Sequence, residues 1–282
     1  MPHYTPKFHI GDPGPKDLYE YLDTVEARSP TSNDELLEAA SELGHDLGTR
    51  EKTTAGSVLG RLGVVEPENQ FSYTEMGDSL VDIMYSDSDL FENLLHYLYY
   101  TAYERYPEEF IYSSYTYKAF TNYLYANAPY SSLYGEKGTI VGEVSTQAEQ
   151  DPDLDLSRTK KGVSLSNKSF TNYLQYIRDL SPAVNPADPN DTPGFEHRAF
   201  CPPGLLLVTV DHLYQKRNTE YNTLLRVTDE SKSEIKRICM LSEEGLSEVL
   251  DYTEQAYSEF SVTHDFGLNL RLEKEVSLDD LE

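Results

Sequence analysis

Acidic residues are dispersed along this chain rather than gathered in a block, and that dispersal limits what it can fold into. Asp17, Glu20, Asp23 and Glu26 are followed by Asp34, Glu35, Glu38 and Glu42. Lys plus Arg number 23 against 49 Asp plus Glu, a formal net charge of −26. Acidic tails normally come as blocks, so here the folded segments themselves must carry the carboxylates. Disorder is excluded by 23 Tyr and 10 Phe, because disordered acidic chains are poor in aromatics. Hydrophobic residues are 38% of 282, enough for lean cores, and the length suits two or three units of ordinary size. Such a surface repels nucleic acid and anionic membrane on average. That rules out a globally basic DNA-coating protein and leaves room for one local basic face.

No run of about 18 apolar residues exists, so no membrane span is expected. The first residues contain no apolar stretch of signal-peptide length. Two cysteines, Cys201 and Cys239, cannot by themselves make a disulfide framework or a zinc cage, and each reads as a small buried residue. These features predict a cytoplasmic protein. Dispersed acidity also resembles that of proteins from salt-accumulating halophiles, where the Debye length at about 1 M salt is roughly 3 Å. Counterion release weakens steeply in such salt, so a modest basic patch is less of an objection to DNA binding there.

Periodicity predicts a helix-rich α+β chain. A Pro- and Gly-rich arm covers residues 1–15. Lys16 to Arg28 is a helix with Leu18, Leu22 and Val25 at helical spacing. A second starts at Ser32 or Asn33 and ends at Gly44. A third runs from Arg50 to Leu62 with Ala55, Val58, Leu59 and Leu62 on one face. Val64-Val65 and Phe71 to Thr74 read as a hairpin around Pro67 to Gln70, and Thr74 opens a fourth helix. Gly63 lets the chain leave the third helix in a left-handed conformation, and Thr74 is a capping residue.

The sequence Leu59-Gly60-Arg61-Leu62-Gly63-Val64-Val65, a tip, then Phe71-Ser72-Tyr73-Thr74-Glu75-Met76-Gly77 resembles the winged helix-turn-helix family over residues 16–85. The resemblance implies a DNA- or protein-binding module in a domain at 1–86. Residues 87–136 form a tyrosine-rich helical connector, whose rings are expected to be buried with wet hydroxyls rather than to stack on bases.

A possible second winged helix covers 137–217. It comprises a helix at 139–150, another at 165–180, wing strands at 182–184 and 195–200, and a helix at 204–217. Lys118-Ala119-Phe120-Thr121-Asn122-Tyr123-Leu124 echoes Lys168-Ser169-Phe170-Thr171-Asn172-Tyr173-Leu174, a single heptapeptide rather than a repeat architecture. The 218–282 segment reads as α/β, with a strand at 235–240, a helix capped by Ser242, two short strands and a frayed acidic tail.

Enzyme chemistry finds little support: no Gly-rich phosphate loop, no His-Glu-x-x-His, scattered histidines and no recognisable metal set. The expectation is no catalysis, no cofactor and no metal. Local charge contrast points instead to duplex DNA. Arg50, Lys52 and Arg61 stand against the single acid Glu51 in the third helix, interleaved with Thr53, Thr54 and Ser57, short polar residues that approach phosphates and base edges. The second basic stretch holds Lys160, Lys161, Lys168 and Arg178, with Thr171 and Asn172 expected on the open face of their helix. Rival readings are a winged-helix scaffold for partner proteins and a transcriptional regulator, although no sustained heptads suggest a dimerisation helix.

A wider resemblance rests on Ile238-Cys239-Met240-Leu241-Ser242-Glu243-Glu244-Gly245-Leu246 and Asp265-Phe266-Gly267-Leu268. These look like an uncharacterised prokaryotic family found beside DNA sulfur-modification and phage-exclusion genes. That resemblance implies a non-catalytic DNA-recognition subunit acting with other subunits of a defence or modification complex.

Overall fold

The structure is a computed structural model. It describes residues 8–11, 13–105, 111–154, 156, 162–184, 194–265 and 267–281, with the side chains of 49–53 and 111 left aside. The chain is helix-rich α+β. Its first part runs α1 (Pro15–Arg28), α2 (Asn33–Leu43), α3 (Thr49–Leu62), β1 (Val65–Glu66), β2 (Asn69–Tyr73) and α4 (Glu75–Ser86).

Local chemistry sets each boundary. Ser32 accepts the Glu35 N–H to start α2, and Thr74 accepts the Gly77 N–H to start α4. Gly63 ends α3 with φ 82°, a left-handed conformation that glycine adopts without strain. Gly77 is needed for another reason: a Cβ there would lie 1.9 Å from the Val64 carbonyl oxygen. The first turn of α4 thus sits directly on the chain leaving α3. β1 and β2 pair antiparallel with a register shift between Val65 and Glu66. The hairpin hangs from α1 by two tyrosine hydroxyls, Tyr21 donating to the Gln70 carbonyl and Tyr73 to the Leu22 carbonyl, each at 2.9 Å.

The middle is a set of buried helices: α5 (Ser88–Arg105), α6 (Ile111–Asn127), α7 (Leu133–Gln150), α8 (Asn167–Arg178) and α9 (Pro203–Lys216). Every residue of α9 from Gly204 to Tyr214 is buried, as expected of a helix apolar on nearly all sides. Tyr97, Tyr99, Tyr100, Tyr112 and Tyr117 pack inward, whereas Tyr134 is exposed. Tyr99 and Tyr117 lie 4.9 Å apart between ring centroids, and Tyr117 and Tyr173 5.0 Å, within the usual range for aromatic pairs. The echoed heptapeptides meet face to face: Phe120 of α6 and Phe170 of α8 form a T-shaped pair at 5.0 Å. His96 is fully buried in this region, its Nε2–H donating to the Ile238 carbonyl and its Nδ1 accepting from the Tyr117 hydroxyl. Burial holds it neutral, with its pKa lowered to about 3.

The last part contains β3 (Leu225–Arg226), α10 (Asp229–Cys239), α11 (Glu243–Ala256), β4 (Phe260–Thr263), β5 (Asn269–Leu272) and a terminal 3-10 turn at Leu278–Leu281. β5 lies between β3 and β4, antiparallel to both. Three expectations are corrected here. Residues 235–239 are the end of α10 and Met240 is its left-handed C-cap, so this stretch is not a strand. Thr228 caps that helix, and Ser231, Ile235, Ile238 and Cys239 form its buried face, a 3.6-residue pattern that a short apolar run disguises.

The proposed second wing is not a paired ladder among the described residues. Glu196 N–H reaches the Val184 carbonyl at 2.9 Å, but Phe195 bridges to Tyr130 and Arg198 to Leu241; residues 185–193 lie outside the described set. The tail is docked rather than frayed. Leu278 and Leu281 are buried, and the Ser79 hydroxyl of α4 donates to Asp279.

One hydrophobic cluster runs from Ile10 to Leu281 and includes residues from every part of the chain. A small satellite gathers Phe8, Tyr112, Ala148, Leu154 and Val163. No helix among the described residues is long and apolar enough to cross a membrane.

Candidate nucleic-acid interface

Helix α3 turns Ala55, Val58, Leu59 and Leu62 into the core. Opposite them, Ser57 is exposed and Thr54 and Arg61 are half-buried. Positions three and four apart share a helix face, so these three form one polar strip. Arg50, Lys52 and Thr53 fall in the first turn and a half of the same helix, their side chains outside the described set. The hairpin packs closely behind: a Cβ on Gly56 would lie 2.4 Å from Gln70 Oε1 and 2.7 Å from the Tyr21 hydroxyl.

The elements that pack against α3 carry exposed acids. Glu66 and Glu68 are exposed at the hairpin tip, and Asp34, Glu35, Glu38 and Glu42 are exposed on α2. Thr31 donates to Glu35 from its backbone N–H at 2.7 Å and from its hydroxyl at 2.8 Å, which holds that carboxyl below the usual range. A shallow cleft of about 280 Å³ between α1 and α2 is lined by Arg28, Pro30, Glu35, Glu38, Ala39 and Glu42. Its sign suits a cation, not a phosphate.

The second basic stretch is arranged differently. Lys160 and Lys161 lie outside the described residues. Lys168 and Arg178 are exposed on α8, and Arg178 pairs with its neighbour Asp179 at 3.3 Å. Thr171 is half-buried; its hydroxyl donates to the Asn167 carbonyl and accepts from Lys137 of α7. Asn172 corrects the expectation of an open polar face. It is 4% exposed, and its Nδ2 donates to the Ile10 carbonyl at 2.8 Å. The cause is the N-terminal segment, which lies along α8: Ser169 takes the Phe8 carbonyl at 3.4 Å and the Tyr176 hydroxyl takes the Pro13 carbonyl at 3.0 Å. α8 exposes Asn167, Lys168, Gln175 and Arg178; Lys168, half-buried Thr171, Gln175 and Arg178 fall in one stripe at helical spacing. Sequence reasoning missed Lys137 because it began that helix at 139. Ser132, which accepts the Gly135 N–H, is the capping signal that moves the start upstream and brings Lys137 beside Thr171.

Among the described residues, one His/carboxylate group has the compactness of a metal set: Glu104, His212 and Glu234, whose ligand atoms lie within 4.8 Å of one another. Cations of the chain already occupy it. Lys216 reaches Glu104 at 3.1 Å and Glu234 at 2.5 Å, Lys118 also pairs with Glu104, and His212 Nε2–H donates to Glu104 at 2.9 Å. Burial works to raise Glu104, but the His212 hydrogen bond and the two ammonium groups outweigh it and hold the carboxyl well below its usual range. The arrangement is a closed ion network joining α5, α6, α9 and α10.

No family model, curated protein or solved structure matches this chain.

Proposed function

We propose that this chain is a non-catalytic duplex-DNA-binding protein, with α1 to α4 and the hairpin working as a winged helix and α3 as its contact helix. The observation that carries the reading is the polar strip of Thr54, Ser57 and Arg61 on a helix whose other face is core. Phosphate contacts fix register and short polar or Arg side chains read base edges. Acidic Glu66 and Glu68 keep the hairpin tip away from phosphate, so α3 carries the contact. The stripe of Lys168, Gln175 and Arg178, with Lys137 beside it, is a second phosphate contact of smaller weight. Asn172 is withdrawn from the set. By its likeness to the defence-associated family, the protein is read as a recognition subunit that leaves chemistry to partner subunits.

A second reading, a winged-helix scaffold for proteins, is favoured by the exposed acids of α2, which suit a basic partner. A duplex-binding titration in molar KCl separates the two. Arg50→Ala, Lys52→Ala and Arg61→Ala together weaken a DNA binder by about 1–3 kcal/mol or more and leave a protein scaffold's affinity for its partner unchanged.

A further inference from the structure

Glu104 of α5, His212 of α9 and Glu234 of α10 come from three different helices, yet their ligand atoms lie within 4.8 Å of one another. His212 and Glu234 are buried and Glu104 is half-buried. Placing two carboxylates side by side away from water is costly unless a cation stands between them. Here that cation is the Lys216 ammonium, 3.1 Å from Glu104 Oε1 and 2.5 Å from Glu234 Oε1. His212 and Lys216 are four residues apart on α9, so they share one face of that helix.

The members of the group are not held equally. The Lys216 side chain is 41% exposed, against 5% for His212 and 9% for Glu234. Lys216 is also the last residue of α9, and its flexible four-carbon stem can carry the ammonium out to water without moving the helix. What then remains is one imidazole and two carboxylates, with Lys118 still on Glu104. Two features set this group apart from the many acids of the surface. The fold already holds a cation between the two carboxylates, and a buried imidazole nitrogen stands beside them, His212 Nε2 being 2.9 Å from Glu104 Oε2.

We propose that Glu104, His212 and Glu234 bind a divalent transition-metal ion of the zinc type in exchange for the Lys216 ammonium. Zinc holds imidazole nitrogen and carboxylate oxygen at about 2.0–2.2 Å, so its ligand atoms stand no more than about 4 Å apart. His212 and Glu104 already meet that limit, and departure of the ammonium lets the Glu234 carboxylate close on the ion. Lys216 leaves with its protons. The His212 ring moves its proton from Nε2 to Nδ1 through solvent, so that the Nε2 lone pair faces the ion and the ring stays neutral. No proton is gained or lost overall. The donor set selects the ion: magnesium and calcium take oxygen ligands, whereas an imidazole with carboxylates suits zinc and its transition-metal neighbours. Three protein ligands leave a position for water. The bound ion pins α5, α9 and α10 at one point, and Lys216 takes its place where the ion is scarce.

The test titrates the native full chain, first stripped with a chelator, with Co(II) in molar KCl, adds Zn(II) in competition and uses Mg(II) as the control. The expected result is one Co(II) per chain, a visible absorption band that zinc abolishes, and a rise in melting temperature that magnesium at the same concentration does not give. Lys216→Met removes the competing cation and should bind Co(II) more tightly than the wild type. His212→Gln should weaken binding by more than the about 10–100-fold that loss of an outer-shell partner costs. If His212→Gln fails to fold, the wild-type spectrum and the Lys216→Met comparison still decide. Absence of the visible band, an equal melting rise with magnesium, Lys216→Met binding no tighter than the wild type, or a folded His212→Gln binding as well as the wild type would each overturn the proposal.

Discussion

Helix α3 leaves Ser57 open with Thr54 and Arg61 half-buried beside it, whereas α8 buries seven of its twelve residues, Asn172 among them. Both helices carry cations interleaved with Ser and Thr, and α8 adds Asn. The difference lies in what each is packed against. One side of α3 meets α1, α2, α5 and the hairpin; α8 is held by α5, α6 and α7 and is also covered by the backbone at Phe8, Ile10 and Pro13. A basic, polar composition therefore says what a helix could contact, while the arm that crosses it decides what remains to do so.

The largest expected effect sharpens that comparison through the core. Phe170→Ala removes the ring that meets Phe120 and should cost about 3–5 kcal/mol of stability, against a change within about 0.5 kcal/mol for exposed Ser57→Ala. Chemical denaturation of both variants checks this, and equal midpoints would break the contrast.

Acid should act on the same buried half, at a cost of a few kcal/mol at most. His96 stays neutral in the fold until about pH 3 but takes a proton near its ordinary value of 6.5 when unfolded. Between those values the unfolded state binds more protons, so stability should fall as pH drops from about 6.5 towards 3. His96→Gln should flatten that part of the melting curve against pH; a profile identical to wild type would show that His96 is not held neutral.

A smaller effect isolates the arm. Asn172→Ala leaves the Ile10 carbonyl without its partner and should destabilise by about 1–3 kcal/mol. DNA affinity should be unchanged wherever the variant is folded. Loss of affinity without loss of stability would return Asn172 to the contact face.

Much of the first unit was legible in the sequence because its signals are local. Gly44 and Gly63 end helices, Ser32 and Thr74 start them, and Leu59, Leu62 and Val64 mark one buried face. The misreadings elsewhere share a cause, which is dependence on distant partners. Residues 235–240 have strand-like composition, yet Thr228 caps a helix whose face is completed by Ser231. Residues 195–200 look like a return strand, but the fold gives Phe195 to Tyr130 and Arg198 to Leu241. Periodicity alone points Asn172 outward, because nothing in its own helix announces the Ile10 carbonyl above it.

The central claim is that α3 grips duplex DNA more strongly than α8 does. The direct measurement is duplex affinity in molar KCl for the wild-type chain, for Arg50→Ala/Lys52→Ala/Arg61→Ala and for Lys137→Ala/Lys168→Ala/Arg178→Ala, each confirmed as folded by its melting curve. The account predicts measurable binding by the wild type, a loss of about tenfold or more for the α3 variant, and a smaller loss for the α8 variant. Equal affinity of the α3 variant and the wild type, or no binding by the wild type itself, would contradict it.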